Sequence, residues 1–175
     1  AKYIDISVLL STDDFYYTDS HWRQERILKV ADEIADKLGA ERIGKCEIHD
    51  TGRRFYGVYY GQAALPHAPE RFFYLDNAVI RGLKVYNVET SSDIPVYDLG
   101  AAAGRDPYEM FLGGARSIIK ITNPNAAQER RLIVFRDSFG SSIAPLLAAG
   151  YSEITLVDIR YISPSSLGKL IDFTK

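Results

Sequence analysis

The sequence predicts an α/β fold in which a mostly parallel sheet is flanked by helices, and two patterns carry that prediction. Apolar strand-like runs alternate with helical patterns through the last third of the chain, in the order expected of a βαβ unit. The middle, at about residues 53–99, contains short aromatic and β-branched runs separated by glycine and proline, which is typical of antiparallel strands. We therefore expect one domain over residues 1–175, with a strand-rich antiparallel insertion in its middle.

The N-terminal part predicts an extended entry followed by one helix. Residues 2–10 alternate and then become apolar, as in a strand. From Arg23 to Leu38 apolar side chains recur at intervals of three and four residues, and Gly39 stands where a helix C-cap is expected. Asp19 and His21 would then lie just before a rigid helix, exposed at the edge of a cleft.

Four strands are predicted in the insertion, and alternating strands and helices after it. The insertion strands are Phe55–Tyr60, Arg71–Leu75, Leu83–Val88 and Pro95–Leu99. The later elements are a short helix Asp106–Phe111, a turn Gly113-Gly114, a strand Ser117–Ile121, a strand Leu132–Phe135, a helix Ser141–Ala149, a strand Glu153–Val157 and a helix from about Ser165. Residues 136–138 would lie at the carboxyl end of a parallel strand, where open α/β sheets bind ligands.

Composition and charge exclude several classes of function. The 21 basic and 23 acidic residues are spread along the chain and give a net charge of −2, so no cationic surface for nucleic acid is expected. No run approaches the roughly 20 apolar residues of a membrane-spanning helix. Cys46 is the single cysteine, which excludes an internal disulfide, and we expect a packed thiol. The 12 tyrosines suit sugar-binding surfaces as well as ordinary interfaces.

Two separated segments hold the side chains that a serine hydrolase or acyltransferase needs. They are Asp19-Ser20-His21-Trp22 and Arg136-Asp137-Ser138-Phe139-Gly140. A serine hydroxyl becomes nucleophilic when an imidazole takes its proton, and a carboxylate fixes the tautomer of that imidazole. Ser138 would lie near the start of a helix, whose unpaired N–H groups can stabilise an oxyanion.

These residues also have simpler interpretations. Asp137 and Ser138 are of types that commonly cap helices, and a histidine beside Trp22 can be an ordinary packed residue. The other two histidines, His49 and His67, lie in contexts typical of surface loops. A metal site of oxygen and nitrogen ligands is a further alternative, although its members match no known spacing: Asp13, Asp14, Asp19, His21 and Asp137. We expect no metal and no cofactor.

The segment Tyr16-Tyr17-Thr18-Asp19-Ser20-His21-Trp22 resembles the Asp-x-His-Trp motif of SGNH-hydrolase-like proteins, which include the alginate O-acetyltransferases of bacterial exopolysaccharide export. A closer resemblance is to the bacterial DHHW family, which is similar also at residues 132–139, 144–147 and 157–161. The resemblance implies an SGNH-hydrolase-like (flavodoxin-like) fold and a serine O-acyl esterase or O-acetyltransferase that acts on a cell-envelope or extracellular polysaccharide. It also implies an extracytoplasmic protein whose export signal or anchor precedes these residues.

Position by position, the resemblance implies Ser138 as the nucleophile, His21 as the general base and Asp19 as the carboxylate that orients it. Further candidates for oxyanion or substrate binding are Gly114, Arg136, Asp137, Arg160 and Trp22. Arg136 replaces the glycine that SGNH enzymes usually carry, and Gly114-Ala115 stands where a Gly-Asn pair is expected. These departures favour the alternative of a non-catalytic glycan-binding or assembly module on the same scaffold.

Overall fold

The structure, a computed structural model, describes residues 3–63, 67–171 and 173. Its strands are β1 (Glu47–Phe55), β2 (Glu70–Asp76), β3 (Lys84–Asn87), β4 (Ser92–Ile94), β5 (Ile118–Thr122), β6 (Arg131–Phe135) and β7 (Glu153–Val157). Its helices are α1 (Leu28–Leu38), α2 (Val58–Ala63), α3 (Ala78–Gly82), α4 (Ser138–Leu147) and α5 (Pro164–Leu170). The fold class is mixed α/β, as the alternating patterns predict.

The larger sheet has five strands in the order β4-β3-β5-β7-β6, and it is mostly antiparallel. Among the described strands only β6 and β7 pair in parallel, joined by the predicted crossover through α4. The pairs β3–β4, β3–β5 and β5–β7 are all antiparallel. The prediction of a mostly parallel sheet is therefore wrong. A buried apolar run such as β5 does not reveal whether the strand is parallel or antiparallel to its neighbours. A parallel pair needs a crossover connection, usually a helix, and no helix lies between β5 and β6.

Both faces of the larger sheet are covered. Helices α1 and α4 pack on the face that carries Ile119, Ile121, Ile154 and Leu156, while α5 packs on the face that carries Ile118 and Val157. Strands buried on two faces become nearly continuous apolar runs, which is why the sequence indicates them clearly. No helix in the described ranges is long and apolar enough to cross a membrane.

The smaller sheet consists of β1 and β2, which pair antiparallel from Glu47↔Asp76 to Phe55↔Glu70. The predicted strands Arg71–Leu75 and Leu83–Val88 correspond to β2 and β3. Two other predictions in the insertion are wrong: Phe55–Tyr60 is the end of β1 followed by α2, and Pro95–Leu99 lies after β4. The chain turns after β1 because Gly57 packs against the backbone of Thr18, where a Cβ would lie 2.1 Å from the Thr18 carbonyl oxygen.

The N-terminal strand predicted at residues 2–10 is also wrong in the described part of that range. Residues Ser7–Leu9 and Thr12–Asp14 instead form short 3-10 turns. The Asp5 carboxylate accepts hydrogen bonds from the Ser7 N–H and hydroxyl, and Asp14 makes equivalent bonds with Ser11. Such local side-chain bonds compete with strand pairing.

The helical predictions are largely confirmed. The segment Arg23–Leu38 is a 3-10 turn followed by α1, and Gly39 ends it with a left-handed φ of 61°. The last third follows the predicted order, with α4 beginning at Ser138, three residues earlier than the apolar pattern suggests. This early start places Ser138 in the first turn of α4, directly after β6 and the short link through Arg136 and Asp137.

Candidate active site

Asp19, His21 and Ser138 form a continuous hydrogen-bonded chain. His21 Nδ1 lies 2.6 Å from Asp19 Oδ1, and His21 Nε2 lies 2.6 Å from Ser138 Oγ. An ionised carboxylate only accepts hydrogen bonds, so the Nδ1 atom carries the imidazole proton. The lone pair of Nε2 is then directed at the Ser138 hydroxyl, which is the arrangement in which an imidazole activates a serine.

A tight turn lets Asp19 contact a histidine only two residues away. The Asp19 carboxylate accepts the backbone N–H of His21 at 2.9 Å as well as the ring N–H. The flanking residues close the turn, since Tyr16 N–H donates to the His21 carbonyl at 3.1 Å and Phe15 forms a β-bridge with Trp22. The required geometry thus comes from an irregular loop rather than from a helix.

The second oxygen of Asp19 is held from the insertion side. Asp19 Oδ2 accepts the backbone N–H of Val58, the first residue of α2, at 3.0 Å. Burial alone would raise the pKa of Asp19, but the hydrogen bonds from His21 and Val58 outweigh it and hold the pKa below its ordinary value. Asp19 is therefore an ionised carboxylate at neutral pH.

Aromatic rings enclose the imidazole of His21. The Tyr108 ring stacks on it with centroids 4.0 Å apart and an interplanar angle of 15°, and the Phe139 ring lies 5.1 Å away. The Tyr108 hydroxyl is fixed by Ser142 Oγ at 2.7 Å. Sequence reasoning missed Tyr108 and Ser142; the only signal is that Ser142 follows Ser138 by four residues, on the same side of α4.

Trp22 supports the site from within the core. Its side chain is buried, and its indole N–H donates to Ser142 Oγ at 2.8 Å. Gln24 continues this buried network, donating to the Ser142 carbonyl at 2.7 Å and accepting the Leu75 N–H at 2.8 Å. Trp22 does not line the cavity at Ser138; it contacts the site through Ser142 and through the Phe139 ring, which it meets edge to face with centroids 5.1 Å apart.

The cavity beside Ser138 has a volume of about 190 Å³. Its described lining residues are His21, Asp106, Tyr108, Glu109, Gly114, Ala115, Arg136, Ser138, Ser141, Arg160 and Tyr161. Three of the five secondary candidates from the sequence therefore line it. Asp137 is exposed, and its carboxylate accepts the Phe139 N–H at 3.0 Å, so it caps α4 as the simpler interpretation predicts.

Gly114 forms part of a turn with unusual backbone geometry. Leu112, Gly113 and Gly114 have φ values of 55°, 69° and 73°. The Gly114 N–H donates to the Phe111 carbonyl at 3.1 Å, and the Gly114 carbonyl accepts from Arg136 Nη2 at 3.2 Å. The Gly114 N–H is thus engaged within the turn and does not serve as an oxyanion donor in this conformation.

Two arginines share one buried carboxylate next to the cavity. Asp158 accepts Arg160 Nε at 2.8 Å and Nη2 at 2.6 Å, and Arg136 Nη1 lies 3.9 Å from the same carboxylate. The hydrogen bonds from Arg160 hold the pKa of Asp158 below its ordinary value despite its burial. Burial lowers the pKa of Arg136, opposed by Asp158. Arginine nevertheless stays charged at neutral pH.

The remaining candidates lie apart from the cavity. His49 is in strand β1 rather than in a turn, and His67 is exposed. Asp14 pairs with Lys29 at 2.8 Å. Burial raises the pKa of the half-buried Cys46 thiol. Within the described ranges no cluster of three or more histidine, cysteine or acidic side chains is arranged to hold a metal ion.

No protein-family model and no curated protein matches this chain. Solved structures with a similar fold include a DHHW family protein from Eubacterium siraeum, at 20% identity and a TM-score of 0.67 over 90% of this chain and 56% of that one. Bacillus cereus PatB1 with a sulfonyl adduct is similar at 20% identity and a TM-score of 0.69, over 90% of this chain and 57% of that one. A second PatB1 structure matches at 18% identity and a TM-score of 0.60, over 86% and 56% of the two chains.

The chain thus spans little more than half the length of these proteins. At such identities the likeness concerns the fold alone.

Proposed function

We propose that this chain is a serine O-acyl esterase or O-acetyltransferase that works through an acyl-serine on Ser138. The observation that carries the proposal is the Asp19–His21–Ser138 chain, with both contacts at 2.6 Å, at the edge of a cavity. The distance from His21 Nε2 to Ser138 Oγ lies within the range in which a general base acts on a nucleophile, and the distance from His21 Nδ1 to Asp19 Oδ1 is that of an oriented base. The lowered pKa of Asp19 supports its role as the carboxylate that orients His21.

The proposed reaction has two steps, acylation of Ser138 and its deacylation. Ser138 Oγ attacks the acyl carbonyl carbon while its proton passes to His21 Nε2, and Asp19 stabilises the imidazolium. The tetrahedral intermediate collapses as the imidazolium returns that proton to the departing alcohol oxygen, which leaves an ester on Ser138. Water or a sugar hydroxyl then gives its proton to His21 Nε2 and attacks the same carbon. The acyl–Oγ bond breaks as the imidazolium returns that proton to Ser138 Oγ, which regenerates the free serine. Water makes the enzyme an esterase, and a sugar makes it a transferase.

The substrate proposal is an O-acylated glycan of the cell envelope or the extracellular space. Two observations support it: the resemblance at Tyr16–Trp22, which implies a polysaccharide substrate, and the aromatic and polar lining of the cavity. The likeness in fold to a DHHW protein and to PatB1 concerns the scaffold rather than the substrate. We further propose an SGNH-like domain over residues 1–175, an extracytoplasmic location and a relation to the alginate O-acetyltransferases. We propose that the reaction requires no cofactor, since Ser138, His21 and Asp19 supply the nucleophile, the general base and the orienting carboxylate.

The test is hydrolysis of a chromogenic acetyl ester by the wild type and by Ser138→Ala. We expect the variant to lose nearly all turnover, since the hydroxyl that forms the acyl-enzyme is gone. A matched control is Ser165→Ala, which removes an exposed hydroxyl on α5 and should leave the rate unchanged. Equal rates for the wild type and Ser138→Ala would remove Ser138 from the mechanism.

A sulfonyl fluoride supplies a second readout that does not depend on the choice of substrate. Ser138 Oγ would displace fluoride from sulfur, with its proton passing to His21, and form a stable sulfonate ester. Peptide mapping should locate the added mass on Ser138 in the wild type and on no residue in Ser138→Ala. Labelling at another residue, or none, would contradict an activated Ser138.

A non-catalytic glycan-binding or assembly module is the second candidate, and one observation favours it. The Gly114 N–H, a candidate backbone donor to the oxyanion, is bonded to the Phe111 carbonyl. This candidate predicts that an acetylated oligosaccharide binds equally well to the wild type and to Ser138→Ala, with no acetate released by either. Acetate release by the wild type alone would exclude it.

A further inference from the structure

The Arg136 side chain connects two segments that line the cavity. Its Nη1 donates to Ser141 Oγ in α4 at 2.9 Å, and its Nη2 donates to the carbonyls of Gly114 and Arg116 at 3.2 Å each. The side chain is only 2% exposed. A guanidinium presents five N–H donors in a rigid plane, so it can fix several acceptors relative to one another.

The segment on one side is the strained turn at residues 112–114. Positive φ is unfavourable for a residue with a Cβ, and Leu112 adopts it while fully buried. Such a backbone persists only where its surroundings hold it. Arg136 contributes to that restraint by binding two carbonyls at the end of the turn, those of Gly114 and Arg116.

The segment on the other side is the first turn of α4, which contains Ser138. A Cβ on Gly140 would lie 2.5 Å from the Cβ of Arg136, so this turn packs directly on the arginine stem. Glycine at position 140 makes that close approach possible. One side chain therefore locates both the nucleophile and the turn that faces it.

We infer that Arg136 is a positioning residue that fixes the oxyanion hole. It holds the start of α4 and the turn at a set spacing, so that the backbone N–H groups of Ser138 and Ala115 converge on the oxyanion of the tetrahedral intermediate. Ala115 lines the cavity, whereas the Gly114 N–H is engaged with Phe111. Preorganised backbone donors of this kind stabilise the transition state rather than the bound ester. The inference rests on the proposed function. It also assigns a structural role to Arg136, which stands where SGNH enzymes usually have glycine.

The test is the kinetics of Arg136→Lys on 4-nitrophenyl acetate. Lysine keeps the charge but cannot connect Ser141 with both carbonyls. We expect kcat to fall about 10- to 100-fold while KM stays within about twofold, because the loss concerns the transition state. Affinity for a trifluoromethyl ketone, which forms a tetrahedral oxyanion adduct with serine, should fall by the same factor as kcat/KM.

Two further variants separate positioning from general stability. Ser141→Ala removes only the α4 end of the connection, so its kcat should fall by less than that of Arg136→Lys. Arg130→Lys is the matched control, since Arg130 also donates to two backbone carbonyls, those of Leu38 and Gly39, but outside the described cavity lining. We expect no change in its kcat. All assays are run well below the unfolding midpoint of each variant.

The outcomes distinguish the inference from the proposed function. A wild type that hydrolyses the ester, together with an Arg136→Lys variant of unchanged kcat or a changed KM alone, would overturn the inference and leave the proposed function standing. A wild type no faster than Ser138→Ala would overturn both. A fall in kcat with matching loss of ketone affinity, and no change in Arg130→Lys, is the result expected.

Discussion

The two sides of the candidate site are held by different kinds of structure. Ser138 lies in the first turn of α4, the helix that follows β6 and precedes β7 in the chain. The regular backbone hydrogen bonds of these elements fix its position. Asp19 and His21 lie in a loop that belongs to no sheet or helix. Their positions depend on bonds to side chains and to the backbone of the insertion. The loop side should therefore be the more sensitive to single side-chain changes.

Glu70 is the main support on the loop side. This buried residue of β2 accepts the Thr18 N–H and hydroxyl at 3.3 Å each and pairs with Arg23. Thr18 in turn accepts the Gly57 N–H at 2.9 Å and the Tyr59 N–H at 3.0 Å. The strand-rich insertion thus fixes the residue that precedes Asp19, which gives this part of the chain a direct role in the geometry of the site.

The largest expected effect comes from breaking the loop side at Asp19. Asp19→Asn keeps the shape but replaces an acceptor-only carboxylate with an amide, which favours the wrong tautomer of His21. We expect kcat for ester hydrolysis to fall by about 10³- to 10⁴-fold. The check is kcat measured beside the thermal unfolding midpoint, which should change little. A fall below about tenfold would show that Asp19 does not orient His21.

A smaller effect on kcat is expected from a substitution of Glu70, because this substitution weakens the contacts that hold the loop and leaves Asp19 and His21 unchanged. Glu70→Gln removes the charge that compensates Arg23 and weakens the acceptor for Thr18, so the free energy of unfolding should fall by about 2 kcal/mol. Denaturant unfolding measures this loss, and kcat should fall by about tenfold as the turn loosens.

The matched control for Glu70 is Glu129→Gln, which removes an exposed partner of Arg131. Surface pairs contribute little, so the free energy of unfolding should change by less than about 0.5 kcal/mol. Equal losses in the two variants would mean that Glu70 acts as an ordinary surface charge rather than as a support of the loop.

The same difference between the two sides explains what the sequence can predict. The elements β6, α4 and β7 follow from apolar periodicity, since each buries a continuous face against its neighbours. Asp19, His21 and Ser138 could be proposed from their chemistry and from the resemblance. The residues that surround these three side chains are harder to predict. Tyr108 and Ser142 contact the site only through the tertiary fold, and no local pattern marks them.

The secondary-structure predictions that proved wrong also have a common physical origin. At residues 7–9 the hydrogen bonds that Asp5 accepts from Ser7 favour a 3-10 turn where the alternation at residues 2–10 predicts a strand. After Phe55 the packing of Gly57 on Thr18 turns the chain into α2. Both outcomes depend on specific hydrogen bonds or close contacts, and hydrophobic pattern carries no information about them. The second of these segments also holds the site, since the Val58 N–H at the start of α2 donates to Asp19.

The smallest expected effect is on the helix side, at the cap of α4. Asp137→Ala removes the acceptor for the Phe139 N–H, and the loss of such a cap costs about 1 kcal/mol of unfolding free energy. Because β6, β7 and the packed face of α4 still hold Ser138, kcat should change by less than about threefold. Asp137→Asn, which keeps a capping oxygen, should retain most of the stability. If Asp137→Ala instead lowered kcat as strongly as Glu70→Gln, the nucleophile would depend on a single side-chain bond just as the loop does, and the contrast between the two sides would fail.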